Sequence, residues 1–530
     1  MLSLIFAACG CASRYAPLRA TVERHQPAVV VFFVDGMSRD VTHELLQAGK
    51  LPNIRRVFTE GGVEVEHAIA CLPTLTYPNT VSMLTGVWPG RHGITGNRWF
   101  EPETLTFRDY LRPWAFQDVN GDFDTPTIFE RLGGDVTVNV QCPTRRGATR
   151  NYDSPVLSGL DWIGGRFEQV DLRSAACVDY AVALANETGR WPRLIWMYMP
   201  GVDQVGHEYG PDSARYRRAI ERVDEGVGRV VERVTETGLD RVTFVLVTDH
   251  GQLEIPRARQ FNLEDWLEQW FDVRESASDS RRLWRRRAAL DDCDLVLRIG
   301  ADRRAAIYVR GDGWGRPANR TEIDRILYPP GFDPHGPPAL AQLPAVALVC
   351  RRLEDGRVEV FSGERRFVVE RETVNGVARY RIGPSGAADA IAALEYGALA
   401  QGFRVDAWHT GAEWLRATHA TAYPDFVPQI SVLFDSSRSG DIVAFAAAGW
   451  ALERDEIGHH GSARKEDMLA QMLFAGPGLP KGAKLPYARL VDLTPTLLGM
   501  LGVDVGGEGM DGEDLGERLR RAHWKSAAPG

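Results

Sequence analysis

Gln26-Pro-Ala-Val-Val-Val-Phe-Phe-Val34 is a continuous apolar run rich in β-branched residues, and it ends abruptly at Asp35-Gly36. Such a run is typical of a strand that is buried on both faces of a sheet. The same pattern returns at Leu194-Ile-Trp-Met-Tyr-Met199 and at Val242-Thr-Phe-Val-Leu-Val247, each followed closely by an aspartate. The three runs predict strands that bring carboxylates to one edge of a sheet.

Between the second and third of these runs, the apolar residues of 213–236 recur at helical spacing, which predicts a helix. This alternation predicts an α/β fold in which a mostly parallel sheet lies between helices. Ligands of such sheets bind outside the carboxyl ends of the strands, where the aspartates stand.

A different pattern occupies residues 253–428. Alternating segments such as Arg357-Val-Glu-Val-Phe361, Arg366-Phe-Val-Val369 and Ala378-Arg-Tyr-Arg-Ile382 predict hairpin strands, with turns at Asp355-Gly356 and Asn375-Gly376. We interpret this region as a large inserted α+β cap. Its basic run at 281–287 is interpreted as a solvated face, with a patch that steers substrate as the alternative.

The remaining segments complete the predicted organisation. Strands are expected at 429–434 and 441–445, and a packed helix at 490–501. The predicted division is a signal or lipoprotein segment at 1–25, the catalytic core at 26–252 and 429–530, and the cap at 253–428.

Composition and charge exclude several classes of binding partner and of structural site. The 530 residues carry a net charge of −9, which argues against binding a nucleic-acid polymer, because a phosphate backbone requires a basic surface. Seven cysteines without a CxxC pair make a disulfide framework or a thiolate zinc site improbable. No run of 18 apolar residues occurs, so no transmembrane helix is predicted.

The first residues, Met1-Leu-Ser-Leu-Ile-Phe-Ala-Ala-Cys9-Gly-Cys11, resemble a bacterial lipoprotein signal. This interpretation predicts a lipid anchor at Cys9 or Cys11 and a periplasmic or cell-envelope location. A misannotated start is the alternative, because no Lys or Arg precedes the apolar run, and it would leave the chain cytoplasmic.

Residues of metal-ligand type cluster after the predicted strands. They are Asp35, Asp203, His207, Asp249, His250, His459 and His460. Any one pair alone is better explained as a surface acid beside a satisfied histidine. Several of them, however, stand at strand ends and beside glycines, and carboxylates with imidazoles and no thiolate favour two catalytic zinc ions.

A candidate nucleophile lies in Pro73-Thr-Leu-Thr-Tyr-Pro-Asn79, ahead of a helix predicted at 80–85. The hydroxyl of Thr76 is a poor nucleophile unless a metal activates it. The alternative role for this segment is a helix N-cap, with Asn79 or Thr80 as the capping side chain.

The chain resembles the alkaline phosphatase superfamily, and within it the type I phosphodiesterase/nucleotide pyrophosphatase family. The resemblance rests on six stretches in the family's order, and it frames residues 28–252 and 434–515 but not the insert between them. The stretches are Val34-Asp-Gly36, Pro73-Thr-Leu-Thr-Tyr-Pro-Asn79, Thr85-Gly-Val-Trp-Pro-Gly-Arg-His-Gly-Ile-Thr-Gly-Asn97, Pro200-Gly-Val-Asp-Gln-Val-Gly-His-Glu-Tyr-Gly-Pro211, Thr248-Asp-His-Gly251 and Gly458-His-His-Gly461.

The resemblance implies that the predicted sheet forms an alkaline-phosphatase-like core, and it implies a role for each site residue. Asp203, His207 and His460 would hold one zinc ion, and Asp35, Asp249 and His250 the other, with Thr76 bridging toward the substrate. Asn97 would donate to a phosphoryl oxygen beside the Thr76 amide, and Tyr77 would stack on a nucleobase or pack internally. Thr76 would attack the phosphorus of a small-molecule phosphodiester or pyrophosphate, and the phosphothreonine formed would then be hydrolysed with the help of zinc.

Related activities remain open. A threonine-nucleophile phosphomonoesterase would add a Lys-x-Arg clamp, and Pro143-Thr-Arg-Arg-Gly147 supplies Arg146 as a substrate-binding residue but Thr144 in place of lysine. Phosphonoacetate hydrolase is a further alternative. A sulfatase is excluded because Leu75 stands where its motif requires arginine, and a non-catalytic scaffold is disfavoured because every ligand position is filled.

Overall fold

Strand Ala28–Val34 lies inside a nine-stranded sheet, the core sheet, between the strands Leu194–Met199 and Val242–Val247 and parallel to both. The structure is a computed structural model, and it describes residues 17–112, 115–275, 290–399, 402–454, 456–504 and 509–523. The proposed anchor residues Cys9 and Cys11 and the basic run at 281–287 lie outside these ranges. The three predicted strands and their common edge are confirmed.

The core sheet is mostly parallel, with antiparallel pairings on one side only. Its strands in spatial order are Leu469–Ala470, Val63–Ile69 (which also pairs with Ala483–Arg489), Met472–Ala475, Val242–Val247, Ala28–Val34, Leu194–Met199, Thr137–Val140 and Arg150–Tyr152.

Helices cover both faces of this sheet because its central strands are apolar on both sides. Val30, Phe32 and Val34 face a core that includes the long helix Ala214–Glu236. The alternate residues of the same strand face a second core that includes the helices Thr76–Thr85 and Leu493–Met500. This arrangement is the predicted mostly parallel sheet between helices.

A second nine-stranded sheet, which we call the second sheet, is almost entirely antiparallel. Its predicted hairpins are confirmed, and Asn375 and Gly376 both adopt positive φ at their turn. In spatial order its strands are Val273–Arg274, Leu295–Gly300, Arg304–Val309, Ile442–Ala446, Val346–Arg352, Val358–Ser362, Arg365–Val374, Val377–Ile382 and His409–Thr410.

Two predicted strands differ in the structure. The segment 429–434 was expected to be a strand, but it belongs to the helix Phe426–Leu433, every residue of which is buried. A short apolar run looks the same in a buried helix and in a buried strand, so periodicity could not separate the two. Strand Ile442–Ala446 exists as predicted, but it pairs within the second sheet and not within the core sheet.

Most of the α-helices are short, and none among the described residues is both long and apolar enough to cross a membrane. The α-helices are Arg39–Gln47, Pro52–Ile54, Thr76–Thr85, Pro89–His92, Ile128–Arg131, Pro155–Ile163, Phe167–Ala176, Val178–Thr188, Gly201–Tyr209, Ala214–Glu236, Leu263–Leu267, Arg320–Leu327, Ala387–Ala393, Gly411–Thr418, Phe426–Leu433, Lys465–Met468, Leu493–Met500 and Gly516–Arg520. Two short strand pairs, Arg98–Glu101 with Thr106–Asp109 and Leu253–Glu254 with Gly458–His459, complete the fold.

Candidate active site

The acids that follow the central strands meet at the carboxyl edge of the core sheet. Asp35 follows the strand Ala28–Val34, and the backbone N–H of Gly36 donates to Asp249 Oδ1 at 3.1 Å. Gly36 has a φ of 57°, and a Cβ at this position would collide with the carboxylate of Asp203. Glycine is therefore required for the three carboxylates to approach one another.

Two groups of buried or half-buried side chains have the composition of metal sites. Ligand atoms of Asp203, His250 and His460 lie within 4.8 Å of one another, and so do those of Asp35, Asp249 and His250. His250 belongs to both groups. His207, which the resemblance assigns to one ion, lies beside the first group with its Nε2 3.3 Å from Asp203 Oδ2.

The unsatisfied atoms of this cluster fit a cation. Asp249 Oδ2 and His250 Nε2 are buried and have no hydrogen-bond partner among the described residues. They lie 3.3 Å apart, and the same nitrogen is 3.4 Å from Asp35 Oδ1. Burial without a partner is costly for such groups, and a bound dication would satisfy them. Asp and His donors without a thiolate are the donor set of catalytic zinc.

Burial and neighbouring charges shift the pKa values of these groups. Burial and the neighbouring charge of Asp35 raise the pKa of Asp249 well above its ordinary value. Burial works against ionisation of Asp35 too, but hydrogen bonding and attraction to His250 leave the pKa of Asp35 lowered. Burial, together with repulsion from His250 and His207, lowers the pKa of His460 well below its ordinary value. These effects favour the neutral form of the His460 imidazole, which is the form that binds a metal.

Backbone carbonyls orient the imidazoles. His207 Nδ1 lies 2.8 Å from the Gly458 carbonyl oxygen, and His460 Nδ1 lies 2.8 Å from that of Thr74. In each ring this contact fixes Nδ1 as the donor and leaves Nε2 available as a ligand, which is a common outer arrangement of metal-binding histidines.

Thr76 is the first residue of the helix Thr76–Thr85, so the helix begins four residues earlier than predicted. Its hydroxyl donates to Asp35 Oδ1 at 3.4 Å. The N-terminal amides and the dipole of this ten-residue helix favour an anion at the same place. A phosphate ester at this position would have its phosphorus beside the Thr76 hydroxyl.

The alternative capping role of this segment is wrong. Leu75 occupies the N-cap position, and no side chain caps the helix. Asn79 instead accepts a hydrogen bond from Cys71 N at 2.7 Å, and its Nδ2 donates to the carbonyls of Cys71, Pro73 and Leu75. Asn79 therefore holds the loop that presents Thr76.

Asn97 is close to this helix terminus. Its Oδ1 accepts a hydrogen bond from Tyr77 N at 3.0 Å, which turns its Nδ2 the other way. Tyr77 itself is buried, with its ring 4.8 Å from that of Tyr110 and its hydroxyl donating to the Tyr110 carbonyl. In this conformation Tyr77 packs internally, and stacking on a nucleobase stays a prediction.

The segment 143–147 shows how its two notable residues are held. Arg146 is engaged by the carboxylate of Glu130 and by the carbonyls of Phe123 and Thr125, so its guanidinium is already committed. Thr144 is fully buried, and its hydroxyl has no partner among the described residues. Burial, with a contribution from the charge of Asp35, raises the pKa of Cys142, two residues before Thr144, to about 12.

The two consecutive histidines have different environments. His460 belongs to the first metal-type group, and its backbone N–H donates to the Ala301 carbonyl at 3.2 Å. His459 places Nδ1 2.7 Å from Asp302 Oδ2 and Nε2 3.1 Å from Gln260 Nε2. The turn that links two strands of the second sheet thus supports both histidines.

Three supporting residues were missed by sequence analysis. The hydroxyl of Tyr198 donates to Asp35 Oδ2, Gln252 Nε2 lies 3.3 Å from Asp203 Oδ1, and Asp302 pairs with His459. A hydroxyl within the apolar run Leu194–Met199 was a signal for Tyr198. Asp302 carried no signal, because it comes from a distant part of the chain.

Comparison with known proteins identifies a family. The family described as "Type I phosphodiesterase / nucleotide pyrophosphatase" matches residues 29–311. An uncharacterised pyrophosphatase/phosphodiesterase of Schizosaccharomyces pombe is 28% identical over 49% of this chain and 50% of its own length. The bis(5'-adenosyl)-triphosphatase ENPP4 of Bos taurus is 26% identical over 46% and 51%. Ectonucleotide pyrophosphatase/phosphodiesterase family member 1 of Mus musculus is 23% identical over 43% and 24%.

The match therefore spans about half of the first two relatives and about a quarter of the third. Among solved structures, murine ectonucleotide pyrophosphatase/phosphodiesterase 5, an inactive form in complex with AMP, has a TM-score of 0.57 at 17% identity. That comparison covers 93% of this chain and 100% of the other. At this identity the likeness is one of fold, and it extends across the second sheet.

Proposed function

Because the chain belongs to the type I phosphodiesterase/nucleotide pyrophosphatase family, we propose that it is a metal-dependent hydrolase of phosphodiester or pyrophosphate bonds in small molecules. The observation that carries this proposal is the position of Thr76. Its hydroxyl lies at a helix N-terminus, 3.4 Å from Asp35, at the edge where both metal-type groups lie.

The chain's own residues support a two-step displacement. Thr76 Oγ1 attacks phosphorus while the bond to the leaving oxygen breaks and the electron pair departs with that oxygen. Asp35 Oδ1 is the acceptor that faces the Thr76 proton. Water then attacks the phosphothreonine, releases the bound half of the substrate and restores the threonine. Asn97 Nδ2, oriented by the bond from Tyr77 N, would donate to a phosphoryl oxygen in both steps.

The cofactor proposed is a pair of zinc ions. Asp203, His207 and His460 would hold one ion, and Asp35, Asp249, His250 and Thr76 the other. When bound, the ions would supply Lewis-acid stabilisation of the negative charge that develops on the entering and leaving oxygens. The buried and unsatisfied atoms of Asp249 and His250 support this assignment.

A diester or pyrophosphate is favoured over a monoester. A monoester carries close to two negative charges where a diester carries one, so a selective monoesterase needs an additional cation. Thr144 supplies none, and the guanidinium of Arg146 is held by Glu130 and two carbonyls. AMP in the murine structural neighbour is consistent with a nucleotide-type substrate for that protein.

We also propose a cell-envelope location with a lipid anchor at Cys9 or Cys11. This rests on the sequence of the first residues alone, and labelling of the expressed chain with a fatty-acid analogue, with and without Cys9→Ser and Cys11→Ser, tests it.

An activity panel tests the proposed reaction. Zinc-loaded full-length protein is assayed with a matched aryl phosphodiester and aryl phosphomonoester, a nucleoside triphosphate and phosphonoacetate. The expected result is the highest kcat/KM for the diester or the triphosphate. A strong preference for the monoester would give first place to the phosphomonoesterase alternative, and a preference for phosphonoacetate would make the chain a phosphonoacetate hydrolase.

A further inference from the structure

The helix Pro155–Ile163 exposes its apolar side chains to solvent and turns its polar side chains toward the protein. The large apolar side chains that are most exposed in the described part of the chain concentrate here, with Ile163 at 87% and Val156 at 72%, and Leu157 and Leu160 more than half exposed. Single exposed apolar residues are common on protein surfaces, but a contiguous patch of them marks an interaction site.

Its polar residues face the protein instead. Asp161 is buried and accepts hydrogen bonds from Arg166 and Arg173, with Nε–Oδ distances of 3.0 and 2.8 Å. Ser158 donates to Gln141 Oε1 at 2.9 Å, and Gln141 in turn donates to Ser174. These bonds fix the helix with its apolar stripe outward, so the exposure is built into the local structure.

Arginines and aromatic side chains border the stripe, although the whole chain has a net charge of −9. Two arginines, Arg166 and Arg173, share the single carboxylate of Asp161, and their side chains are 61% and 37% exposed. Trp162, partly exposed, packs edge-on against Phe167 with ring centroids 5.0 Å apart. The helix itself carries no cation, but its exposed aliphatic residues and Trp162, together with the arginines of the segment that follows, form the kind of surface that binds at a membrane interface.

We propose that helix Pro155–Ile163 is a docking surface for a lipid bilayer that carries anionic headgroups. The apolar stripe enters the boundary between headgroups and acyl chains, and Arg166 and Arg173 contact the anionic groups. The helix follows the strand Arg150–Tyr152, which is aligned with the central strands through a series of parallel pairings. The helix therefore begins at the same edge of the core sheet as the metal-type groups, on the outermost strand, three strands from Ala28–Val34.

Vesicle partitioning of the full-length chain tests this surface. Vesicles of phosphatidylcholine with phosphatidylglycerol are compared with vesicles of phosphatidylcholine alone. The double variant Leu157→Glu/Leu160→Glu is expected to partition at least tenfold more weakly than wild type into the anionic vesicles. The matched control, Val377→Glu/Ile391→Glu, changes two exposed apolar residues elsewhere and is expected to bind as wild type does. Both doubles keep the N-terminal segment, so an anchor there cannot produce a difference between them.

Hydrogen–deuterium exchange supplies a second readout that needs no variant. Anionic vesicles are expected to slow exchange of the backbone amides at 156–163 and to leave those near Val377 unchanged. Equal partitioning of the two double variants, or no protection at 156–163, would overturn the proposal. The proposal would also be overturned if the wild-type chain dimerised in the absence of vesicles and the double variant Leu157→Glu/Leu160→Glu did not. A second copy of the chain would then be the occupant of this face.

Discussion

At the residue scale, His459 and His460 are neighbours in sequence but have different contacts, and we propose different roles for them. The His460 imidazole shares a cluster with Asp203 and His250, whereas His459 is held between Asp302 and Gln260. A ligand contributes directly to metal binding, and a supporting residue contributes through orientation, typically 10- to 100-fold in affinity or activity.

We therefore predict that His460→Ala lowers both bound zinc and kcat/KM much more than His459→Ala does. Elemental analysis and steady-state kinetics on the two variants, prepared in parallel, measure both quantities. Equal losses would mean that the ligand within Gly458-His-His-Gly461 has been assigned to the wrong histidine.

The substrate preference also depends on one residue. Thr144→Lys puts a cation at the position where the resemblance expects the clamp lysine of a phosphomonoesterase, so we predict a shift of the kcat/KM ratio toward the monoester of about tenfold, or about 1.4 kcal/mol in the transition state. Thr144 is fully buried, so a longer side chain also perturbs packing. Thr144→Met controls for this, because it has a similar length without the charge, and it should leave the ratio unchanged. Equal ratios in the two variants would remove the basis for the diester preference.

At the scale of elements, the turn at 300–304 connects the second sheet to the catalytic edge. Ala301 accepts the His460 N–H, Asp302 contacts His459, and Arg303 forms a buried two-point ion pair with Asp467 at 2.9 and 3.1 Å. The carbonyl of Asp467 accepts from the N–H of Gly251 at 2.9 Å, directly after His250. The ion pair thus joins the second sheet to the loop that carries Asp249 and His250.

Arg303→Met should destabilise the fold by about 3–5 kcal/mol, because it leaves the buried carboxylate of Asp467 without its partner. Arg303→Met/Asp467→Leu removes both charges and should recover much of that loss. Denaturant unfolding of the wild type, both single variants and the double completes the cycle. A double variant whose loss equals the sum of the single losses would show that the two side chains do not act as a pair.

At the scale of the whole molecule, the proposed ligands come from distant parts of the chain, so metal binding would be coupled to folding. Removal of metal with a chelator should abolish activity and lower the thermal unfolding temperature. Zinc at about a thousand times its Kd should restore about 4.1 kcal/mol of stability. Calorimetry with and without zinc measures this, with magnesium as the control, because magnesium prefers all-oxygen octahedral sites. An unfolding temperature indifferent to zinc would contradict the assignment.

How far the sequence predicts this molecule depends on the range of the interactions. The strand Ala28–Val34 and the acid after it could be recognised because a strand buried on both faces has a local signature. The helix Phe426–Leu433 could not, because it is buried on every side and short. The placement of Ile442–Ala446 in the second sheet and the contact of Asp302 with His459 depend on pairings across more than a hundred residues. Such pairings leave no trace in a single sequence.

The central claim is that Thr76 is the nucleophile, and one comparison tests it most directly. Thr76→Ala and Thr76→Ser are assayed against an aryl phosphodiester while zinc is measured in the same preparations. The account predicts that Thr76→Ala loses at least about a thousandfold in kcat with zinc content near wild type, and that Thr76→Ser keeps measurable turnover through its hydroxyl. Substantial activity in zinc-replete Thr76→Ala would contradict it.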